Sequence, residues 1–198
     1  MFSIVIQAGG KSTRMGEDKA LRSFLGHPLI EHVRDRVAEV GDELIVITNR
    51  PDAYQFLDLP LYSDLIPNRG PLGGLYTALS VATHPLVGVV ACDLPFASPT
   101  LLNHLKTVLM ETNVDAALPS TESGLEPLHA VYRRVTCLPH VKKALEDDVW
   151  RMIGWHDKAD VKILSPAETR QHIEHPQVFW NINTPEEFDK AEQEAQKP

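Results

Sequence analysis

Residues 2–7, apolar apart from Ser3 and Gln7, lead into Gly9-Gly10, and Lys11, Arg14 and Lys19 follow within a dozen positions. A mostly apolar run of this length, bounded by turn residues, reads as a buried strand. Paired glycines let the backbone turn sharply and come close to a ligand. The clustered cations supply charge-assisted donors to phosphate oxygens. Gly10-Lys11-Ser12 imitates the end of a P-loop, but Val5 stands where that motif needs its first glycine, and no GxGxxG frame fits either. An ordinary strand-to-helix turn would account for the glycines and leave the cations unexplained. The chain must therefore build a fold in which the carboxyl end of a buried strand faces an open, phosphate-sized space.

The remaining patterning supplies such a fold. Apolar residues at helical spacing (Leu29, Ile30, Val33, Val37 and Val40) predict a helix over 28–40, stopped by Gly41. Strands are predicted at 43–48 and 86–92, and helices at 71–82 and 99–112, each helix opened by a proline. Further strands are expected at 114–118 and 128–134, a surface loop or lid at 120–126, and a last helix at 185–196 with Thr184 as N-cap. Such alternation predicts an α/β class with a largely parallel sheet covered by helices. In open α/β sheets ligands bind beyond the carboxyl ends of the strands, which is where Gly9, Asn49 and Asp93 fall. Trp150 and Trp155, in a mixed segment over 147–157, read as packing residues.

Charge and cysteine content narrow the partners. The 198 residues, 43% of them hydrophobic, suit one well-buried core, so a single domain over 1–198 is expected. A formal net charge of -8 argues against general nucleic-acid or anionic-membrane binding, which needs a broad positive field. Phosphate binding must be local. Cys92 and Cys137 lack a CxxC partner and read as reduced thiols of a cytoplasmic protein. No apolar run approaches the roughly 20 residues that span a bilayer.

The pattern Ala8-Gly9-Gly10, Ser12, Arg14-Met15-Gly16, Asp18-Lys19 resembles the signature of the molybdenum cofactor guanylyltransferases, members of the nucleotidyltransferase superfamily. Further matches follow in order: Asn49, Asp64, Gly70-Pro71-Leu72-Gly73-Gly74, Cys92-Asp93-Leu94-Pro95, the stretch from Pro127 to Tyr132, and Asn181-Ile182-Asn183-Thr184-Pro185. They span nearly the whole chain. Gln7 departs from the leucine more often found there, and Gly73 from a frequent alanine. The resemblance implies a three-layer Rossmann-like nucleotidyltransferase fold with a mostly parallel mixed sheet.

It also implies a reaction, in which GMP passes from GTP to the terminal phosphate of molybdopterin and pyrophosphate is released. Arg14, Lys19 and Asp93 are then the catalytic candidates, with Asp93 also the ligand of Mg2+. Ala8, Gly9, Gly10, Lys19, Asn49, Asp64, Gly73 and Asp93 are the nucleotide-binding set. His129, Tyr132, Asn181 and Asn183 are the acceptor-binding set. From residue type alone, Asn49 and Asp64 read equally as turn residues before Pro51 and Pro67, His129 as a strand side chain, and the Asn181/Asn183 pair as a structural turn. Asp18 could bond local amides and so aim Lys19 inward. Two other readings stay open: a transferase of the same fold using CTP or another NTP on a pterin or sugar phosphate, whose members tend to carry AAG in place of Ala8-Gly9-Gly10, and a non-catalytic nucleotide-binding module. Expected partners are GTP, molybdopterin or its molybdenum-loaded form, and transiently the proteins that make or receive the cofactor.

Overall fold

The computed structural model describes residues 1–9 and 18–197. Strands β1 (Phe2–Gln7), β2 (Ser23–Phe24), β3 (His27–Pro28), β4 (Glu43–Ile47), β5 (Leu61–Tyr62), β6 (Leu86–Ala91), β7 (Ala116–Thr121), β8 (Gly124–Leu125), β9 (His129–Arg133) and β10 (Val161–Leu164) occur in that order. The α-helices are α1 (Leu29–Val37), α2 (Gly70–Val81), α3 (Pro99–Thr112), α4 (Arg134–Glu146), α5 (Pro166–Gln171) and α6 (Pro185–Ala195). An eight-stranded sheet runs β10-β7-β9-β6-β1-β4-β5, with β8 paired to β7, and β2-β3 form a separate hairpin. β1 pairs in parallel with β4 and β6, and β9 runs antiparallel to both β6 and β7. The sheet is thus mixed and mostly parallel, as the resemblance implies.

Alternation along the central strands makes three layers. Side chains at i and i+2 share a face, so Ile4 and Ile6 pack with Val46, Val90, the α1 residues Ile30 and Val33, and Leu101 and Leu105 of α3. Val5 turns to the other face, against Leu72 and Leu75 of α2 and Val141 of α4. Because both faces are covered, β1 and β6 are buried throughout, and apart from Ser3 and Gln7 of β1 they are apolar rather than alternating.

Most expected elements appear with ends shifted by a few residues, and several further elements were not expected, among them α4, β10, α5 and the short strands β2, β3, β5 and β8. α4 mixes Lys142, Lys143 and Pro139 into a helix that lacks a clean apolar stripe. β10 and α5 complete the far edge of the sheet. The expected 120–126 loop is instead a tight β7-β8 hairpin. α6 forms as expected, with Thr184 accepting from the Glu187 amide and Glu187 reaching back to the Thr184 amide in a reciprocal cap. Phe188 and Ala191 of α6 pack on Phe24, Leu29, Phe96 and Ile182. That contact brings the end of the chain back to the strand that carries Asp93.

Candidate active site

Asp93 lies just past the carboxyl end of β6, where Leu94 donates to the Ala91 carbonyl (3.4 Å) and tightens the turn. Its carboxylate meets Lys19, which sits at the start of a short 3-10 turn at Lys19–Leu21. Asp18 caps that turn by accepting from the Ala20 amide (3.3 Å), and is itself held by the Tyr54 hydroxyl (2.9 Å). The local role expected for Asp18 is therefore seen, and it fixes the direction in which Lys19 leaves the backbone. The Lys19 ammonium also donates to Asn183 Oδ1 (2.9 Å). The turn behind this contact is stapled by the Ile182 amide, which donates to the Asp93 carbonyl (3.1 Å). Asp93 Oδ1 is buried and has no hydrogen-bond partner among the described residues.

A second group stands on neighbouring strand ends. Gln7, Ile47 and Tyr62 are in register across β1, β4 and β5, and Asn49 and Asp64 each follow that row by two residues. They bond reciprocally: Asn49 Nδ2 donates to Asp64 Oδ2 (2.7 Å), and the Asp64 amide donates to Asn49 Oδ1 (3.0 Å). The Leu65 amide donates to Thr77 Oγ1 (3.0 Å), tying the segment after Asp64 to α2. Ala8 donates its amide to the Ile47 carbonyl (2.8 Å), and Gly9 beyond it is exposed. Gly73 is buried in the first turns of α2, where a Cβ would lie 2.8 Å from Arg69 Cβ.

The structure separates other candidates from this crevice. Tyr132 is fully buried, its hydroxyl donates to the Pro127 carbonyl (2.6 Å), and its ring lies beside Trp155 beneath the helices. His129 is also fully buried, with Nε2 accepting from the Ser98 amide (2.8 Å); burial pushes its pKa down to about 4. Both are enclosed because β9 is an interior strand covered on each side. This corrects the expectation that either side chain is presented at an acceptor surface, and neither is carried forward as a contact. Asn181 is exposed, and its carbonyl accepts from Asn183 Nδ2 (3.3 Å). Gly10 and Arg14 lie outside the described residues. Trp155 packs as expected, whereas Trp150 is half exposed, with the Arg69 guanidinium 4.9 Å from its ring centroid. Cys92 and Cys137 are free and buried; burial raises both thiols, Cys137 to about 12.

The Lys19-Asp93-Asn183 cluster and the Asn49-Asp64 pair thus gather beyond the carboxyl ends of β6, β4 and β5, the side on which open α/β sheets bind ligands. A family model described as "MobA-like NTP transferase domain" matches residues 4–160. The chain belongs to this family. Over 191 residues it is 35% identical to the molybdenum cofactor guanylyltransferase of Desulfosudis oleivorans, covering 95% of this chain and 93% of that one. Its fold is similar to the crystal structure of molybdopterin-guanine dinucleotide biosynthesis protein A from Archaeoglobus fulgidus, with TM-score 0.86, 23% identity and coverage of 99% and 100%. It is also similar to 4-diphosphocytidyl-2C-methyl-D-erythritolsynthase from Anaerococcus prevotii, with TM-score 0.70, 16% identity and coverage of 99% and 96%. As a MobA-like NTP transferase, the protein is an enzyme of nucleotidyl transfer.

Among the described residues, one oxygen of the Asp93 carboxylate has no donor. A buried carboxylate oxygen without a donor is costly to desolvate, and Lys19 satisfies only the other oxygen of Asp93. A hard divalent ion prefers oxygen ligands and is often held by one or two carboxylates together with substrate phosphates. The Asp93 side chain fits that demand. Gln7, which departs from the leucine more often found at this position, ends β1 close to the Asn49-Asp64 pair with no role that its residue type alone assigns. Its signal was a polar residue closing a mostly apolar strand.

Proposed function

We propose that the protein transfers the GMP unit of GTP to the terminal phosphate of molybdopterin, forming a guanine dinucleotide and pyrophosphate. An oxygen of the acceptor phosphate attacks the α-phosphorus of GTP, and the bond to the bridging α-β oxygen breaks as pyrophosphate leaves. The observation that carries the reading is the meeting of Lys19, Asp93 and Asn183 at the end of β6. It stands in a chain whose 35% identical relative is named a molybdenum cofactor guanylyltransferase.

Displacement at phosphorus asks mainly for alignment and charge neutralisation. Lys19, aimed by the Asp18 cap, neutralises charge on the phosphates. Asn183 holds the ammonium in place and brings the C-terminal turn, with Asn181, to the side where the acceptor phosphate approaches. Asp93 would hold Mg2+, which supplies further charge neutralisation when bound. Arg14, four positions after Gly10 in the sequence, adds a forked donor to the phosphates. Asn49 orients Asp64, whose carboxylate accepts from the paired N–H donors of guanine or contacts the ribose. Ala8, Gly9 and Gly73 supply backbone that borders the nucleotide.

The enzyme works in the cytoplasm and meets cofactor-making or cofactor-receiving proteins only transiently. No described helix is long and apolar enough to cross a membrane. Thermal unfolding with each NTP in the presence of Mg2+ tests base choice. A nucleotide present at about 100 times its dissociation constant adds about 2.7 kcal/mol of stability. GTP should give the largest shift at equal concentration, and a larger shift with CTP would refute the reading.

A further inference from the structure

Gln7 ends β1 as a side chain that the surrounding protein does not satisfy. It is 7% exposed, and its Nε2 is buried with no hydrogen-bond partner among the described residues. Every other residue of β1 except Ser3 is apolar, and an apolar residue at 7 would continue that pattern without leaving an amide unpaired. The neighbouring helix is nonetheless shaped around the amide. A Cβ at Gly74 of α2 would lie 2.6 Å from Gln7 Oε1, so glycine there is what leaves space for it.

The position of that amide is informative. Gln7 shares its face with Val5, the side covered by α2. It lies in register with Ile47 and Tyr62, two residues below Asn49 and Asp64 on the adjoining strands. Its carboxamide therefore lies against Gly74 of α2, one strand over from the row that ends in the Asn49-Asp64 pair. A buried donor without an acceptor is a cost that a ligand with a matching acceptor removes.

We propose that Gln7 is a base-selecting residue, with its Nε2 donating to the carbonyl oxygen at the six position of guanine. This inference rests on the guanylyltransferase reading given above. Guanine presents acceptors at O6 and N7, whereas adenine places an amino donor at its six position. The Gln7 donor for O6 and the Asp64 carboxylate for the N–H donors together complement guanine. Against adenine they set donor facing donor.

The test measures dissociation constants of GTP and of 2-aminopurine riboside triphosphate, which lacks O6, for wild type and Gln7→Leu. Loss of one neutral hydrogen bond should weaken GTP about two- to tenfold, while the analogue changes by less than about twofold on the same scale. The unliganded variant should melt no lower than wild type, because the unpaired amide is gone. Gln7→Met, an unbranched apolar match in length, should show the same split. Unchanged GTP affinity in both variants, or equal weakening of both nucleotides, would overturn the inference while leaving the guanylyltransferase reading intact. A wild-type protein that does not prefer GTP to CTP and ATP would refute that reading, and the role given to Gln7 with it.

Discussion

Lys19 and Asp93 are separated by 74 positions in the chain and meet as an ion pair in which the second carboxylate oxygen of Asp93 is buried without a partner among the described residues. The pair is largely withdrawn from solvent, the two side chains being 20% and 13% exposed. Desolvating two charges offsets much of their attraction, and among the described residues half of this anion has no donor. That arrangement supports the proposal that Asp93 receives a cation and Lys19 the phosphates.

Lys19→Ala should lower turnover by about one to three orders of magnitude, the range for removing one preorganised charge-stabilising donor. Asp93→Asn keeps the shape and removes the charge, so it should abolish most activity while leaving the melting temperature near that of wild type. Steady-state kinetics across a Mg2+ titration separates the two variants. Normal Mg2+ dependence in Asp93→Asn would place the metal ligand elsewhere.

Asp64→Ala leaves Asn49 without its partner and removes the carboxylate from the nucleotide crevice. Losing a charge-assisted bond costs about 1.5–3 kcal/mol, or roughly tenfold to a hundredfold in affinity. GTP should lose more than ITP, which has no exocyclic amine to bond. Isothermal titration of both nucleotides reads the difference, and an equal loss would assign Asp64 to the ribose or to the turn.

The buried His129 predicts a pH effect that has no part in catalysis. Its pKa falls from 6.5 to about 4 because burial disfavours the charged ring. The unfolded chain therefore binds a proton in that interval that the folded chain does not, and stability rises with pH across it. The folded state should lose on the order of 3 kcal/mol from this group as pH drops from above 6.5 towards 4. Urea unfolding at pH 7 and pH 5 should show a smaller loss for His129→Gln, whose amide oxygen can still accept from Ser98. An identical loss in the variant would assign the effect to other groups, among them His104 and His156, which burial also lowers.

Elements with a clear apolar period were legible in the chain. β6 announces itself by an unbroken apolar run and β1 by a mostly apolar one, and α3 by Pro99 opening a helix that Asn113, with φ of 57°, ends. α4 was not legible because Pro139 and adjacent lysines interrupt its stripe and tertiary packing supplies what local preference lacks. Direction of pairing was likewise hidden, since nothing in His129–Arg133 states that β9 runs against its neighbours. The burial of His129 and Tyr132 follows from that interior placement, and it removed both from the expected acceptor set. Lys19 and Asn183 are 164 positions apart, so motif reading could name each residue but not their contact. Gln7 was legible as a departure from leucine, yet its orphaned amide becomes visible only against Gly74.

The central claim is tested most directly by pyrophosphate release in a reaction containing the protein, GTP and Mg2+. The account predicts release when molybdopterin is supplied and essentially none with GTP alone or with a sugar phosphate as acceptor. Equal release with the sugar phosphate, or release from CTP in preference to GTP, would contradict it.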